Sequence, residues 1–128
     1  MKKIIIDLDG TLTIDDNLPY EDKLINDRVV EACKNYKKKG FKIVVFTSRN
    51  MRTYEGNVGK INVNTLPKII DWLEKHDVPF DEVYVGKPWC GQDGFYVDDK
   101  AVRPSEFASL SLNEIKKLLE LEKEKNSK

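Results

Sequence analysis

Asp7 and Asp9, Thr47 and Ser48, Lys87, and Asp98 with Asp99 are the residues whose types and spacing could do chemistry, and each group follows a short apolar run. Asp7 and Asp9 stand two apart after Ile4-Ile5-Ile6, so in extended backbone they share a face. Gly10 lets the chain turn sharply behind them and brings bare backbone close to a bound anion. Alone, an Asp-x-Asp pair is equally well explained as the start of a turn. Two neighbouring carboxylates repel, however, and that favours a cation between them. With a hydroxyl from a second strand end, a lysine from a third and another acidic pair, the set describes a Mg²⁺-dependent phosphoryl site.

The energetics explain why such a set is needed. A carboxylate attacking a phosphate dianion at about 4 Å faces ~8 kcal/mol of repulsion at an effective dielectric of about 20. Uncompensated, that costs about six orders of magnitude in rate. A divalent cation and Lys87 would supply the opposing charge. An alkoxide leaving group also needs a proton, hence a carboxylic acid beside the nucleophile.

The elements that must position these groups read as an alternation of strands and helices. Ile4-Ile5-Ile6 read as a strand buried on both faces, with Asp7 and Asp9 at its carboxyl end. Residues 11–20 (TLTIDDNLPY) are turn-rich and suit a hairpin or flap over the site, with Asp15 and Asp16 as solvated turn residues. A helix runs from Asn26 or Asp27 to Lys39, with Val29, Ala32, Cys33 and Tyr36 on one stripe and Gly40 as its stop. Its Lys37-Lys38-Lys39 run suits the helix dipole, and Cys33 a buried apolar role. Residues 41–46 are a second buried strand, ending at Thr47-Ser48-Arg49. Residues 50–63 read as a long irregular loop whose Arg52, Tyr54, Asn57 and Lys60 could line a substrate entrance. A helix capped by Asn64 or Thr65, with Pro67 in its first turn, precedes a strand over 82–85 that leads to Lys87. A fourth strand is expected over 94–97, before Asp98-Asp99. Ser105 should cap a short helix, and Ser111-x-x-Glu114 is a capping box for the last one. Such an order implies an α/β fold, a mostly parallel sheet in a three-layer, Rossmann-like sandwich. Ligands bind such sheets outside the carboxyl ends of their strands, where all the groups named above fall.

At 128 residues the chain is expected to be a single domain, 1–128. Lys and Arg total 22, as do Asp and Glu, so there is none of the basic excess of a general nucleic-acid binder. Two cysteines without a C-x-x-C pattern and one histidine argue against structural zinc and a disulfide framework. The opening apolar run is cut short by Asp7 and is no signal peptide, and no run reaches membrane-spanning length. A cytoplasmic location and no membrane partner are expected.

The motifs Asp7-Leu8-Asp9-Gly10-Thr11, Thr47 at a strand end, Lys87 before Pro88, and Asp98-Asp99 after an apolar run resemble those of the haloacid dehalogenase superfamily, in that family's order. More narrowly, residues 47–107 (TSRNMRTYEGNVGKIN through GKPWCGQDGFYVDDKAVRPSEF) look like small phosphatases of capsular polysaccharide biosynthesis. The resemblance implies that Asp7 is the nucleophile forming an aspartyl-phosphate and Asp9 the acid, then base. Thr47 would hold the transferring group and Lys87 balance its charge. It further implies Mg²⁺ held by Asp7, the Asp9 main-chain carbonyl, and Asp98 and Asp99, which of the two acting directly being left open. Gly10, Thr11, Ser48, Arg49 and Arg52 are the expected substrate contacts.

The gaps between motifs leave no room for a cap domain. A capless site must be open to bulky substrates or closed by loops or a neighbouring subunit. A small phosphorylated sugar or polyol, and a homo-oligomer, are therefore expected. Competing readings are a polynucleotide 3′-end phosphatase, against which the neutral charge counts, and a receiver-like phosphoacceptor or binding module. Receivers carry their acidic pair early in the chain, whereas here it comes last.

Overall fold

The computed structural model describes residues 2–127, which fall into two compact units that meet in sequence between Trp89 and Cys90. The first unit is built on a parallel sheet of three strands, β1 (Lys3–Ile6), β2 (Lys42–Phe46) and β3 (Glu82–Tyr84), in the order β1-β2-β3. Ile5 of β1 lies opposite Val44, and Val45 opposite Val83. Ile43, Val44 and Val45 point alternately to the two faces and are all buried, so both faces of the central strand are covered.

Parallel strands need crossovers, and helices supply them. α1 (Asp27–Lys38) starts where the Asn26 side chain accepts the Val29 N–H, and buries Val29, Val30, Cys33 and Tyr36. Gly40, at φ +90°, ends it as expected. α2 (Val58–Asn64) and α3 (Leu66–Lys75) join β2 to β3. α3 carries Pro67 in its first turn and buries Ile69, Trp72 and Leu73. The lysine run at the end of α1 does more than complement the dipole: Lys37 pairs with Asp81 at 2.5 Å, and Asp81 also accepts the Ile43 N–H at 2.9 Å. The end of α1 is thereby tied to the sheet.

In the second unit, α4 (Pro104–Ser109) and α5 (Leu112–Lys125) are the regular elements among the described residues. α5 begins with the expected box, the Ser111 hydroxyl accepting the Glu114 N–H and the Glu114 carboxylate accepting the Ser111 N–H. α4 starts earlier than expected: Pro104 takes its first position, where proline's fixed φ and missing N–H cost nothing, and Arg103 rather than Ser105 is its cap.

Three expectations need correction. β1 is not buried on both faces: it stands at the edge of the sheet, and Ile5 is 59% exposed while Ile6 is buried. Residues 50–63 are not one irregular loop, because their second half is α2. Its sequence, with Gly59 and β-branched Val58, Ile61 and Val63, has poor helix propensity. The Asn57 side chain, accepting the Lys60 N–H, and the burial of Ile61 override that propensity. Residues 94–97 are not a strand. A strand exists through its ladder partner, and the described residues of the second unit include none; Phe95 is 81% and Val97 87% exposed. No helix among the described residues is long and apolar enough to cross a membrane.

Candidate active site

Where β1 ends, the chain delivers Asp7 and then winds round one carbonyl. The Leu8 C=O accepts the N–H groups of Thr11 (3.3 Å), Leu12 (2.9 Å) and Thr13 (3.1 Å). Leu8, Leu12 and Thr13 are buried and pin this turn from beneath. Gly10 occupies it at φ +78°, a conformation that strains any residue with a Cβ, while its N–H donates to the Thr13 hydroxyl at 3.0 Å. The amides of Gly10 and Thr11 are thus engaged in the turn itself.

Residues 13–25 then form the flap. Thr13 bridges Ile25 in antiparallel fashion, and the Ile14 N–H donates to the Leu24 C=O at 2.9 Å. Asp16, expected as a solvated turn residue, is instead the flap's internal anchor. It accepts from Lys23 Nζ (3.0 Å) and from the Leu18 N–H (3.0 Å), and these bonds hold its carboxyl below the usual value. The Lys23 C=O in turn accepts the Trp72 indole N–H at 2.9 Å, which anchors the flap to α3.

Thr47 is fully buried at the end of β2. Its N–H donates to the Tyr84 C=O (3.0 Å) and its C=O accepts the Lys87 N–H (3.1 Å), so the loop after β3 is stitched to the end of β2. That stitching brings Lys87 Nζ to 3.7 Å from Asp7 Oδ1. Burial pushes the Asp7 carboxyl above its ordinary value, with the Asp9 charge adding to the rise, while Lys87 and the Leu8 N–H pull the other way. Of the groups that favour an ionised Asp7, Lys87 acts most strongly.

Asp9 turns from Asp7 to Arg49. The guanidinium donates through Nε to Oδ2 (3.0 Å) and through Nη2 to Oδ1 (2.7 Å), a bidentate pair. Arg49 is only 5% exposed, its backbone N–H donates to the Thr47 hydroxyl at 3.1 Å, and its guanidinium lies 4.1 Å from the Tyr20 ring centre. Sequence reasoning placed Arg49 among substrate contacts and missed its grip on Asp9 and the covering Tyr20. No spacing signal could have revealed either, since the residues lie on three separate segments.

Asp7, Asp9, Thr47, Arg49 and Lys87 therefore converge at the carboxyl ends of three parallel strands. Ser48 is half-buried and its C=O accepts the Met51 N–H. Arg52 sits 5.8 Å from the Trp89 ring centre. Of the other residues suggested for an entrance, Asn57 caps α2 and Lys60 belongs to that helix. Cys33 is buried and its thiol is pushed up to about 12, the inert apolar role expected of it. In the second unit Asp98 and Asp99 are exposed, and the Asp98 carboxylate accepts the Lys100 N–H at 2.8 Å.

A sequence model of the haloacid dehalogenase-like hydrolases matches residues 4–128. The chain belongs to that family. It is a hydrolase, and its α/β fold is the family's. Among solved structures, a structural-genomics target from Vibrio cholerae is similar, with 61% identity and a TM-score of 0.94 over 95% of this chain and 99% of that one. A chain of the Pnkp1/Rnl/Hen1 complex is 22% identical with a TM-score of 0.51, over 85% of this chain and 34% of that one, a likeness of fold. No curated protein matches the sequence.

Proposed function

We propose that this member is a Mg²⁺-dependent phosphomonoester hydrolase that works through an aspartyl-phosphate on Asp7, cleaving a small phosphorylated sugar or polyol. The observation that carries the reading is the pairing of Asp7 with Lys87 beside an Asp9 held by Arg49, all at the ligand edge of a parallel sheet.

Among the described residues no three carboxylate, imidazole or thiol groups cluster as a ready-made metal site, and the donors proposed for the cation in the first unit are two. Asp7 has one oxygen near Lys87 and a second to offer, and Asp9, whose carboxylate is taken by Arg49, has its main-chain carbonyl. Oxygen donors alone suit Mg²⁺ better than zinc. Asp98 and Asp99 enter only as the further acidic ligands that the family resemblance implies. Bound Mg²⁺ would neutralise charge on the phosphoryl oxygens.

The chain's own groups do the rest. A carboxylate oxygen of Asp7 attacks phosphorus, the bond to the leaving oxygen breaks, and that oxygen takes a proton from Asp9. Water then attacks the phosphorus of the aspartyl-phosphate, Asp9 accepts its proton, and the Asp7 carboxylate is regenerated as phosphate departs. Lys87 opposes the charge that accumulates between Asp7 and the phosphoryl group, and Thr47 steadies the latter. Asp9 can carry a proton only if Arg49 gives up part of its bidentate hold.

The proposed setting is capsular polysaccharide biosynthesis in the cytoplasm, with loops or a second copy of the chain closing the site. It rests on the resemblance of residues 47–107 to small phosphatases of that pathway. Phosphate release from a generic aryl phosphate, sugar and glycerol phosphates, nucleotides and phosphorylated DNA ends tests it. Preference for sugar or polyol esters, lost in Asp7→Asn, supports the reading. Appreciable turnover by Asp7→Asn would overturn the nucleophile, and preference for DNA ends would overturn the substrate class.

A further inference from the structure

One cavity of about 220 Å³ in the first unit opens between the flap, the end of β2 and the α2–α3 junction. Its walls include Tyr20 and Glu21 of the flap, Tyr54, and Asn64 and Lys68 on either side of the junction, with Arg49 contributing from within. We propose that this cavity is the leaving-group subsite and takes one neutral, polyhydroxylated unit; the proposal rests on the phosphatase reading above.

Arg49 ties the cavity to the chemistry. The same guanidinium that lines it donates twice to Asp9, the group assigned to protonate the leaving oxygen. A body lodged in the cavity therefore lies against the residue that orients the proton donor. Neither Asp7 nor Lys87 lines it, so it is placed for the part of the substrate that leaves, not for the phosphoryl group.

The lining also states what that body is. Arg49 is matched by Asp9, and Lys68 Nζ stands 3.8 Å from Glu21 Oε1, so the charges on the wall cancel in pairs. An anionic or cationic leaving group gains nothing from such a wall. A nucleic-acid strand needs a run of unmatched cations along its backbone, and the wall has none. Hydroxyls, by contrast, can donate to Glu21 and accept from Lys68 and from the exposed Asn64 amide, while Tyr54 offers an apolar face. Asn50, also in the wall, is held by its neighbours: its Oδ1 accepts from the Thr65 hydroxyl (2.7 Å) and its Nδ2 donates to Thr53 (3.2 Å). It shapes the cavity without reading the ligand. The volume falls below the roughly 300–1,000 Å³ of sites that engulf drug-sized ligands, which sets the limit at one small ring or short polyol.

The test compares two substrate types on the whole protein with Mg²⁺. Acetyl phosphate has a leaving group too small to need the cavity, whereas sugar and polyol phosphates must fill it. Asn64→Trp should occupy the cavity from its rim, and Lys68→Met should remove one hydroxyl partner and unpair Glu21. For Asn64→Trp the ratio of kcat/KM on polyol phosphate to that on acetyl phosphate should fall about tenfold or more, chiefly through KM. For Lys68→Met the same ratio should fall by about threefold to tenfold. A thermal melt of each variant separates these effects from loss of fold. Parallel losses on both substrates in a folded variant, or no loss on the polyol ester, would overturn the subsite while leaving the phosphatase reading intact. Absence of acetyl phosphate turnover by the unaltered protein, with Mg²⁺ present, would remove the phosphatase reading and this proposal together.

Discussion

Replacing Arg49 with methionine isolates what the guanidinium does for Asp9. The change removes two charge-assisted hydrogen bonds, at 2.7 and 3.0 Å, and a stacking contact with Tyr20. Bonds to charged groups are worth about 1.5–3 kcal/mol each, and an exposed cation–π contact about 0.5–1 kcal/mol. Two offsets shrink that sum. The Asp9 side chain is 33% exposed and can rehydrate, and the Arg49 side chain, at 3%, sheds a desolvation cost of several kcal/mol when an apolar chain replaces it. A net destabilisation of about 1–2 kcal/mol follows, or a Tm lower by about 5 °C for a chain of this size. The catalytic loss should be larger than the structural one, because an unoriented Asp9 forfeits part of the roughly 10²–10⁴-fold that acid–base catalysis supplies. Arg49→Lys should restore little, since an ammonium cannot make the two-pronged contact. The decisive assay is a double-variant cycle on kcat/KM for an alkyl phosphate. If Arg49 acts through Asp9, Arg49→Met combined with Asp9→Asn should be no worse than the poorer single variant. Multiplying losses would show that Arg49 works independently of Asp9 and refute the reasoning.

Four other outcomes are expected. Asp9→Asn should slow hydrolysis of alkyl phosphates more than of aryl phosphates, because a phenolate leaves with less protonation; equal losses in steady-state rates would argue against a leaving-group acid. Excess chelator should abolish turnover and added Mg²⁺ restore it, whereas full activity under chelation would exclude a metal requirement. The Asp7 carboxyl is raised mainly by burial, so its contribution to stability is full below the unfolded value and is lost as pH rises through the folded one. In chelator, Asp7→Asn should therefore melt higher than the parent at neutral pH, with the gain shrinking toward the ordinary pKa of 3.8; a gain independent of pH would contradict this. Gly10→Ala meets no neighbour within 4 Å of the new Cβ, so only its φ of +78° is penalised, and urea melts should show a loss of about 1–2 kcal/mol.

Local chemistry made much of this protein legible in one dimension. The isoleucine run of β1, the stripe and Gly40 stop of α1, Pro67 in the first turn of α3 and the Ser111 box of α5 all act within a few residues, and each stands where its residues imply. The grouping of Asp7, Thr47 and Lys87 was legible too, because parallel strands joined by helices put their carboxyl ends on one edge. Tertiary structure decided the rest. α2 forms against its own propensities because Asn57 caps it and Ile61 finds a buried place. Residues 94–97 have the composition of a strand, but pairing depends on a partner's backbone, which composition does not encode. The hold of Arg49 on Asp9, the cover of Tyr20 and the cavity beside them join segments far apart in the chain. Side chains meet there because the sheet and helices carry them to one point, and no interval along the sequence records that distance.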